Sequence, residues 1–303
     1  MLIVDAETVH AHLPYPELVA ALREAHRSAS PEVDAVVAAD PAGGPNSFLA
    51  LTAWGDMIAA KLVSVFPGNV RHPSVQGVVV LFDGDDGSVR LVADGAAMTL
   101  RKTAADSALG AVFLAREDAE VLLVVGAGGL APHVIEAHRA VRPSLRTVLV
   151  WNRTPARSRE LAAALPGVVA VTELDPAVAQ ADVVSCVTMA TEPVVRGALL
   201  RPGTHVDLVG SFTPRMREAD DETMRRGSVY VDTRHGLERS GEIQHALASG
   251  ALGEIRGDLF GLCSGRVPGR TSAEEITVYK NLGGAHLDLF TARHLLGRVG
   301  DAR

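Results

Sequence analysis

The chain has 303 residues, enough for one large or two ordinary domains, and its 47% hydrophobic and 21% charged residues are the balance of a soluble globular protein. A formal net charge of −7, with no run of Lys or Arg longer than two, argues against nucleic acid and anionic membrane as partners. Two cysteines in unrelated contexts, no basic segment leading into an apolar core at the N-terminus, and no bilayer-length apolar run point to a reducing cytoplasm.

In chain order, residues 15–29 read as an amphipathic helix with Leu18, Val19, Leu22 and Ala25 on one face. His10 and His12 precede it on a polar N-terminal segment. Strands are predicted over 33–39, 48–54, 57–65, 75–82 and 90–93, the last two joined by the hairpin turn Asp83-Gly84-Asp85-Asp86-Gly87. A long alanine-rich helix over 95–116 follows. From 121 the pattern becomes strands alternating with helices. Apolar runs at 121–125, 147–151, 168–171, 183–187, 205–209 and 229–232 make six strands, the count of a full doubly wound sheet. Residues 274–296 read as a C-terminal helical segment. The expected fold is α/β: a Rossmann-type doubly wound parallel sheet over 108–273, plus an α+β substrate and dimerisation domain built from 1–107 and 274–303.

The stretch 121–154 carries the clearest chemistry. The buried-strand run Val121-Leu122-Leu123-Val124-Val125 meets the turn Gly126-Ala127-Gly128-Gly129-Leu130-Ala131, and a helix follows over 132–141. Gly126 permits the tight turn, Gly128 lets the backbone approach a pyrophosphate, and Ala131 lets helix and strand pack closely. A ribose-binding acid is expected roughly 20 residues further on. That place holds Asn152-Arg153-Thr154, with Arg157 a turn later. A carboxylate there would repel a 2′-phosphate, whereas an Arg fork with a Thr hydroxyl suits one, so NADPH is expected over NADH. The alternative is a solvated loop with Thr154 capping the next helix.

Two cation-bearing segments stand out. Lys61 interrupts the apolar strand Met57-Ile58-Ala59-Ala60-Lys61-Leu62-Val63, and buried lysines are rare unless paired or functional. A lysine on the solvent face of a half-buried strand is the other reading. Arg101 and Lys102 lie in Thr99-Leu100-Arg101-Lys102-Thr103-Ala104-Ala105, which alone reads as an exposed helical face. The eleven histidines show no metal spacing, so no metal site is expected, and no Gly-x-Ser-x-Gly elbow offers an acyl-transfer nucleophile.

An ordered set of segments resembles the ornithine cyclodeaminase/mu-crystallin family. It comprises Lys61-Leu62-Val63 with Pro67-Gly68-Asn69, Thr103-Ala104-Ala105, Gly126-Ala127-Gly128 and Trp151-Asn152-Arg153-Thr154. It continues through Gly203-Thr204-His205-Val206-Asp207-Leu208-Val209-Gly210, Ser272-Ala273-Glu274-Glu275-Ile276-Thr277 and Leu282-Gly283. The resemblance implies a homodimer whose first domain holds substrate and subunit interface. It adds Thr103, Val187, Thr188, Met189, Val209, Gly210, Leu282 and Gly283 to the cofactor-binding set of the glycine turn, Asn152, Arg153, Thr154 and Arg157. It makes Lys61 the active-site lysine, contacting the substrate carboxylate or delivering the imine proton, and either Lys102 or Arg101 is then expected to complete the substrate-anion site.

The chain departs from the family pattern in two places. Where the cyclodeaminating branch carries an aspartate, this sequence has Phe212 within Gly210-Ser211-Phe212-Thr213-Pro214, and a phenyl ring cannot handle an amine as a carboxylate does. With Met216-Arg217-Glu218, that segment looks more like the bacterial reductases of Δ1-pyrroline-2-carboxylate and Δ1-piperideine-2-carboxylate. The second departure is Lys102 where the family usually has Arg, a point charge in place of a bidentate fork. An early Arg that family members carry is missing from Pro31-Glu32-Val33-Asp34-Ala35. The expected activity is NADPH-dependent reduction of cyclic ketimine carboxylates. Reductive amination of a 2-oxo acid, ornithine cyclodeamination and non-catalytic NADPH binding of the mu-crystallin type are the alternatives.

Overall fold

The computed structural model describes residues 1–300. Its elements begin with β1 (Leu2–Val4), α1 (Ala6–His12), α2 (Tyr15–Ala25), β2 (Glu32–Ala39), β3 (Ser47–Trp54), β4 (Met57–Val65), β5 (Val75–Asp83), β6 (Val89–Asp94) and α3 (Gly95–Leu114). They continue with β7 (Val121–Val125), α4 (Ala131–Val141), β8 (Thr147–Trp151), α5 (Pro155–Ala164), β9 (Val168–Ala170), α6 (Leu174–Gln180), β10 (Val183–Cys186) and β11 (His205–Leu208). The last are α7 (Asp221–Arg226), β12 (Ser228–Val231), α8 (Gly241–Ala248), β13 (Ile255–Asp258), α9 (Leu259–Cys263), β14 (Thr277–Lys280) and α10 (Ala285–Gly300). Two compact units result: Met1–Thr103 with the segment from Gly284, and Ala104–Gly283. Among the described residues, no helix is long and apolar enough to cross a membrane.

The first unit is built on a six-stranded sheet in the order β1-β6-β5-β4-β3-β2. β2 to β6 form an antiparallel meander, while β1 pairs with β6 in parallel. Side chains alternate between faces, so register assigns each residue a side. Ala53, Ala59, Lys61, Val79 and Leu81 share the face covered by α10 and are buried. The opposite face carries the register row Val36–Ala50–Leu62–Val78, flanked by Phe48 and Trp54. Val36, Val78, Phe48 and Trp54 are exposed there, an apolar surface of the kind that marks an interaction site.

The polar N-terminal segment forms β1 and α1, with His10 and His12 on α1 and Asp5 accepting from the Thr8 N–H as the helix cap. α2 stops at Ala25, not 29. Arg27 and Ser28 close it with i→i−3 bonds, and the approach to Pro31 disfavours further helix.

The second unit holds an eight-stranded, all-parallel sheet in the order β13-β12-β14-β11-β10-β7-β8-β9. All six predicted strands are present, and two more complete the sheet. β13 is a short polar edge strand with a register shift, so it carries little apolar signal. β14 corrects the helical reading of 274–296. Thr277-Val278-Tyr279-Lys280 is fully buried between β11 and β12, and the helix begins only at Ala285. A lysine ending that run disguised a four-residue strand of β-branched and aromatic residues.

Candidate active site

In the second unit the candidate site forms at the carboxyl ends of the central strands, where open parallel sheets bind ligands. Gly126 ends β7 with φ +113°, and a Cβ there would meet the Val187 carbonyl oxygen at 2.8 Å. Only glycine permits both the dihedral and the approach. Its N–H donates to the Trp151 carbonyl at 2.8 Å, tying the turn to β8. Asn152 continues the tie: its Oδ1 accepts from the Ala127 N–H at 3.2 Å, and its Nδ2 donates to the Thr154 carbonyl at 3.0 Å. Asn152 thus braces the turn. Arg153, Thr154 and Arg157 are exposed beside it. Thr154 occupies the cap position of α5 but makes no side-chain cap hydrogen bond.

These residues fit a dinucleotide. A Cβ built on Gly128 or Gly129 would meet nothing within 4 Å, both residues are exposed, and α4 starts without a side-chain cap. The N–H groups of Gly126, Ala127 and Ala131 are committed to Trp151, Asn152 and Gly128 and Pro132 has none, which leaves those of Gly128, Gly129 and Leu130 to face phosphate oxygens. Ala131 is buried, as close helix–strand packing requires.

Two further strand ends are joined by Glu218, a residue to which the sequence assigned no role. Its Oε1 accepts from the Thr188 N–H at 2.7 Å and the Thr188 hydroxyl at 2.8 Å, and its Oε2 accepts from the Gly210 N–H at 2.6 Å. A Cβ on Gly210 would collide with the Thr188 carbonyl, so the loops after β10 and β11 meet only because that residue is glycine. Burial pushes the Glu218 carboxyl up to about 8 against the pull of Lys280. Three donors on its two oxygens favour the charged form. Lys280 donates to the carbonyls of Leu208 at 2.9 Å and Asn281 at 2.7 Å, fixing the β11 end. Val187 and Val209 continue their strands through backbone bonds to Val125 and Cys186, while Met189 is exposed. The Leu282 N–H donates to Asp232 at 3.1 Å, and Gly283 has φ +69°.

In the first unit, Lys61 on β4 is buried. Its Nζ donates to Thr99 Oγ1 at 2.7 Å and lies 3.9 Å from Asp288 Oδ1. The Thr99 hydroxyl in turn donates to the Gly95 carbonyl at 2.6 Å, so it presents only a lone pair to Lys61. Burial lowers the Lys61 pKa from 10.5 to about 8, Asp288 opposes that fall, and Lys102 adds to it. Lys102 is also buried and donates to Asp288 Oδ2 at 2.6 Å. The solvent-face reading of Lys61 and the exposed-face reading of Arg101 and Lys102 are thereby corrected. α3 buries 101–110 without interruption, its charged side chains being received by partners: Lys102 by Asp288, Arg101 by His10 and Asp106 by Tyr279.

The structure brings Lys61 and Lys102 together at Asp288. Arg101 turns elsewhere: its Nε donates to His10 Nδ1 at 3.1 Å, and its guanidinium sits 4.7 Å from the centre of the Tyr15 ring. Thr103 is buried on α3, and Phe212 is exposed on the loop after β11. Asp288, Thr99, Glu218 and Lys280 are what sequence reasoning missed. One signal was available: the chain has only three lysines, Lys61, Lys102 and Lys280, and all three are buried. Another was Asp288 itself, an acid among the buried Leu287, Leu289 and Phe290 of α10.

The profile of the ornithine cyclodeaminase/mu-crystallin family matches residues 20–302. The chain belongs to that family. It is 43% identical over 294 residues to the Δ1-pyrroline-2-carboxylate reductase of Paracoccus denitrificans, covering 93% of this chain and 92% of the relative. It is 39% identical to the ketimine reductase mu-crystallin of Mus musculus, covering 80% and 77%. Among solved structures, Δ1-pyrroline-2-carboxylate reductase from Thermococcus litoralis, in complex with NADH and L-proline, matches with a TM-score of 0.92. That match has 26% identity and covers 100% of this chain and 98% of the other.

Proposed function

We propose that this chain reduces cyclic ketimine carboxylates with NADPH, converting Δ1-pyrroline-2-carboxylate to L-proline and Δ1-piperideine-2-carboxylate to L-pipecolate. The chain is an NAD(P)H-dependent oxidoreductase acting on C=N bonds. The observation that carries the substrate assignment is the 43% identity to a Δ1-pyrroline-2-carboxylate reductase across nearly the full length of both chains. The buried Lys61 ammonium supports it. In this reading the glycine turn 126–131 and the ends of β8, β10 and β11 hold the cofactor, together with Thr103, Leu282 and Gly283. Arg153, Thr154 and Arg157 take the 2′-phosphate; NADH is used less well.

When bound, the nicotinamide supplies the hydride that goes to the imine carbon. A protonated imine is the better electrophile, so the chain must neutralise the substrate carboxylate and keep a proton on the imine nitrogen. Lys61 performs one of these tasks from Nζ, as an anion partner or as proton donor. Its hydrogen bond to Thr99 fixes where that nitrogen lies. Lys102 shares the anion site through Asp288, and Arg101 anchors α3 to the N-terminal helices. The apolar row Val36–Ala50–Leu62–Val78 is the subunit interface of a homodimer.

Initial rates with NADPH on the five- and six-membered imines, with and without ammonia, test the reading. Turnover that needs no ammonia supports it. Turnover only on a 2-oxo acid plus ammonia would assign reductive amination instead, and tight NADPH binding with no turnover would assign a binding protein. Phe212, exposed where cyclodeaminases carry an acid, speaks against ornithine as substrate.

A further inference from the structure

The first unit buries two ammonium groups around one carboxylate. Asp288 is fully enclosed on α10, and its two oxygens are used unequally. Oδ2 accepts from Lys102 at 2.6 Å, while Oδ1 has no hydrogen-bond donor among the described residues and lies 3.9 Å from Lys61. That separation is too long for a hydrogen bond and short enough for strong attraction in a site shielded from water. The charged groups acting on Lys61 are Asp288 from α10 and Lys102 from α3. Its partners across the sheet, Leu51 on β3 and Val79 on β5, are apolar. A lone ammonium in such surroundings tends to lose its proton.

We propose that Asp288 is the positioning residue for Lys61. It absorbs the charge of Lys102 through one oxygen and holds Lys61 in the cationic form through the other, leaving Lys61 protons free for the substrate. The proposal rests on the function given above, but its first test does not require activity. Asp288 acts as a counter-ion that Lys61 does not have to share a proton with. Thr99 supports the same state, because its hydroxyl proton is committed to the Gly95 carbonyl and only a lone pair faces Lys61. Lys102 acts in the opposite direction, as a like charge on the far side of the carboxylate.

The opposing signs make the idea testable. The chain has three lysines, so protein labelled with 15N at the lysine side-chain nitrogen gives three resonances, assigned with the K61M and K102M variants. The Lys61 signal is titrated with pH in the wild type, Asp288→Asn and Lys102→Met. Asp288→Asn should lower the Lys61 midpoint by about one pH unit or more, and Lys102→Met should raise it. An unchanged midpoint in Asp288→Asn, or shifts of the same sign in both variants, overturns the proposal. If Asp288→Asn fails to fold, the double variant Asp288→Asn with Lys102→Met, which buries no unbalanced lysine at that carboxylate, takes its place: its Lys61 midpoint should lie below that of Lys102→Met alone, and an equal midpoint overturns the proposal. The basic limb of the kcat/KM profile should move with the midpoint. Midpoints that shift as stated while that limb stays fixed would uphold the role of Asp288 and reject Lys61 as the cation used in turnover.

Discussion

Lys61→Met separates chemistry from folding in one variant. The substitution keeps most of the side-chain volume and removes the ammonium. It breaks no hydrogen bond that either neighbour donates or needs for its charge: Thr99 keeps its bond to the Gly95 carbonyl, and Asp288 keeps Lys102 while losing the longer ion pair from Oδ1 to Lys61. Burying the ammonium is itself costly, since a fall in pKa from 10.5 to about 8 corresponds to about 3 kcal/mol against folding. The folded value lies below the unfolded one, so this penalty is complete below pH 8 and fades as pH rises towards 10.5. Near neutral pH the methionine variant should therefore melt no lower than wild type. Loss of a charge-assisted contact to substrate should cost roughly 2–4 kcal/mol in the transition state, or about 30- to 1,000-fold in kcat/KM. Cofactor affinity should be unchanged, because Lys61 lies outside the nucleotide motif. The assay is melting temperature, NADPH binding and imine reduction on the same preparation. A variant that melts and binds normally yet reduces the imine at near wild-type efficiency would refute the reasoning. One that fails to fold would make Lys61 structural.

Arg153→Ala should raise the NADPH KM by roughly 10- to 150-fold, the loss of one charged phosphate contact, and leave the NADH KM nearly unchanged. Equal effects on both cofactors would remove Arg153 from phosphate binding. For wild type, kcat/KM should fall as pH rises through about 8, where Lys61 loses its proton, and a profile flat through that range would contradict a cationic role. The protein should sediment as a dimer, and Val36→Glu with Val78→Glu should yield the 31.8 kDa monomer; a monomeric wild type at micromolar concentration would leave the apolar row unexplained. L-Ornithine should release no ammonia in the presence of NAD, and release at the rate of imine reduction would show that Phe212 is no barrier.

Wherever periodicity was undisturbed, the elements were legible. The meander of β2 to β6 and the six apolar strands read correctly because alternation and continuous apolar runs each have one physical cause. β14 was hidden because a lysine ended its short run, and that lysine is buried only because three carbonyls of the folded chain receive it. Asp288 was hidden for a similar reason. An acid on a helix that reads as amphipathic gains its meaning from Lys61 and Lys102, which lie 227 and 186 positions away in sequence. Glu218 was visible only as part of a family segment, since its three donors come from loops brought together by the sheet. Motifs held within one strand–turn–helix unit were readable; constellations assembled across the sheet were not.

The central claim is that the chain reduces a preformed cyclic imine. Its most direct test is product stoichiometry: purified protein, NADPH and Δ1-pyrroline-2-carboxylate or Δ1-piperideine-2-carboxylate, with no ammonia, followed by chiral analysis of the amino acid formed. The account predicts one L-proline or L-pipecolate for each NADPH oxidised. NADPH that stays reduced with both imines, or is oxidised without the amino acid appearing, would contradict it.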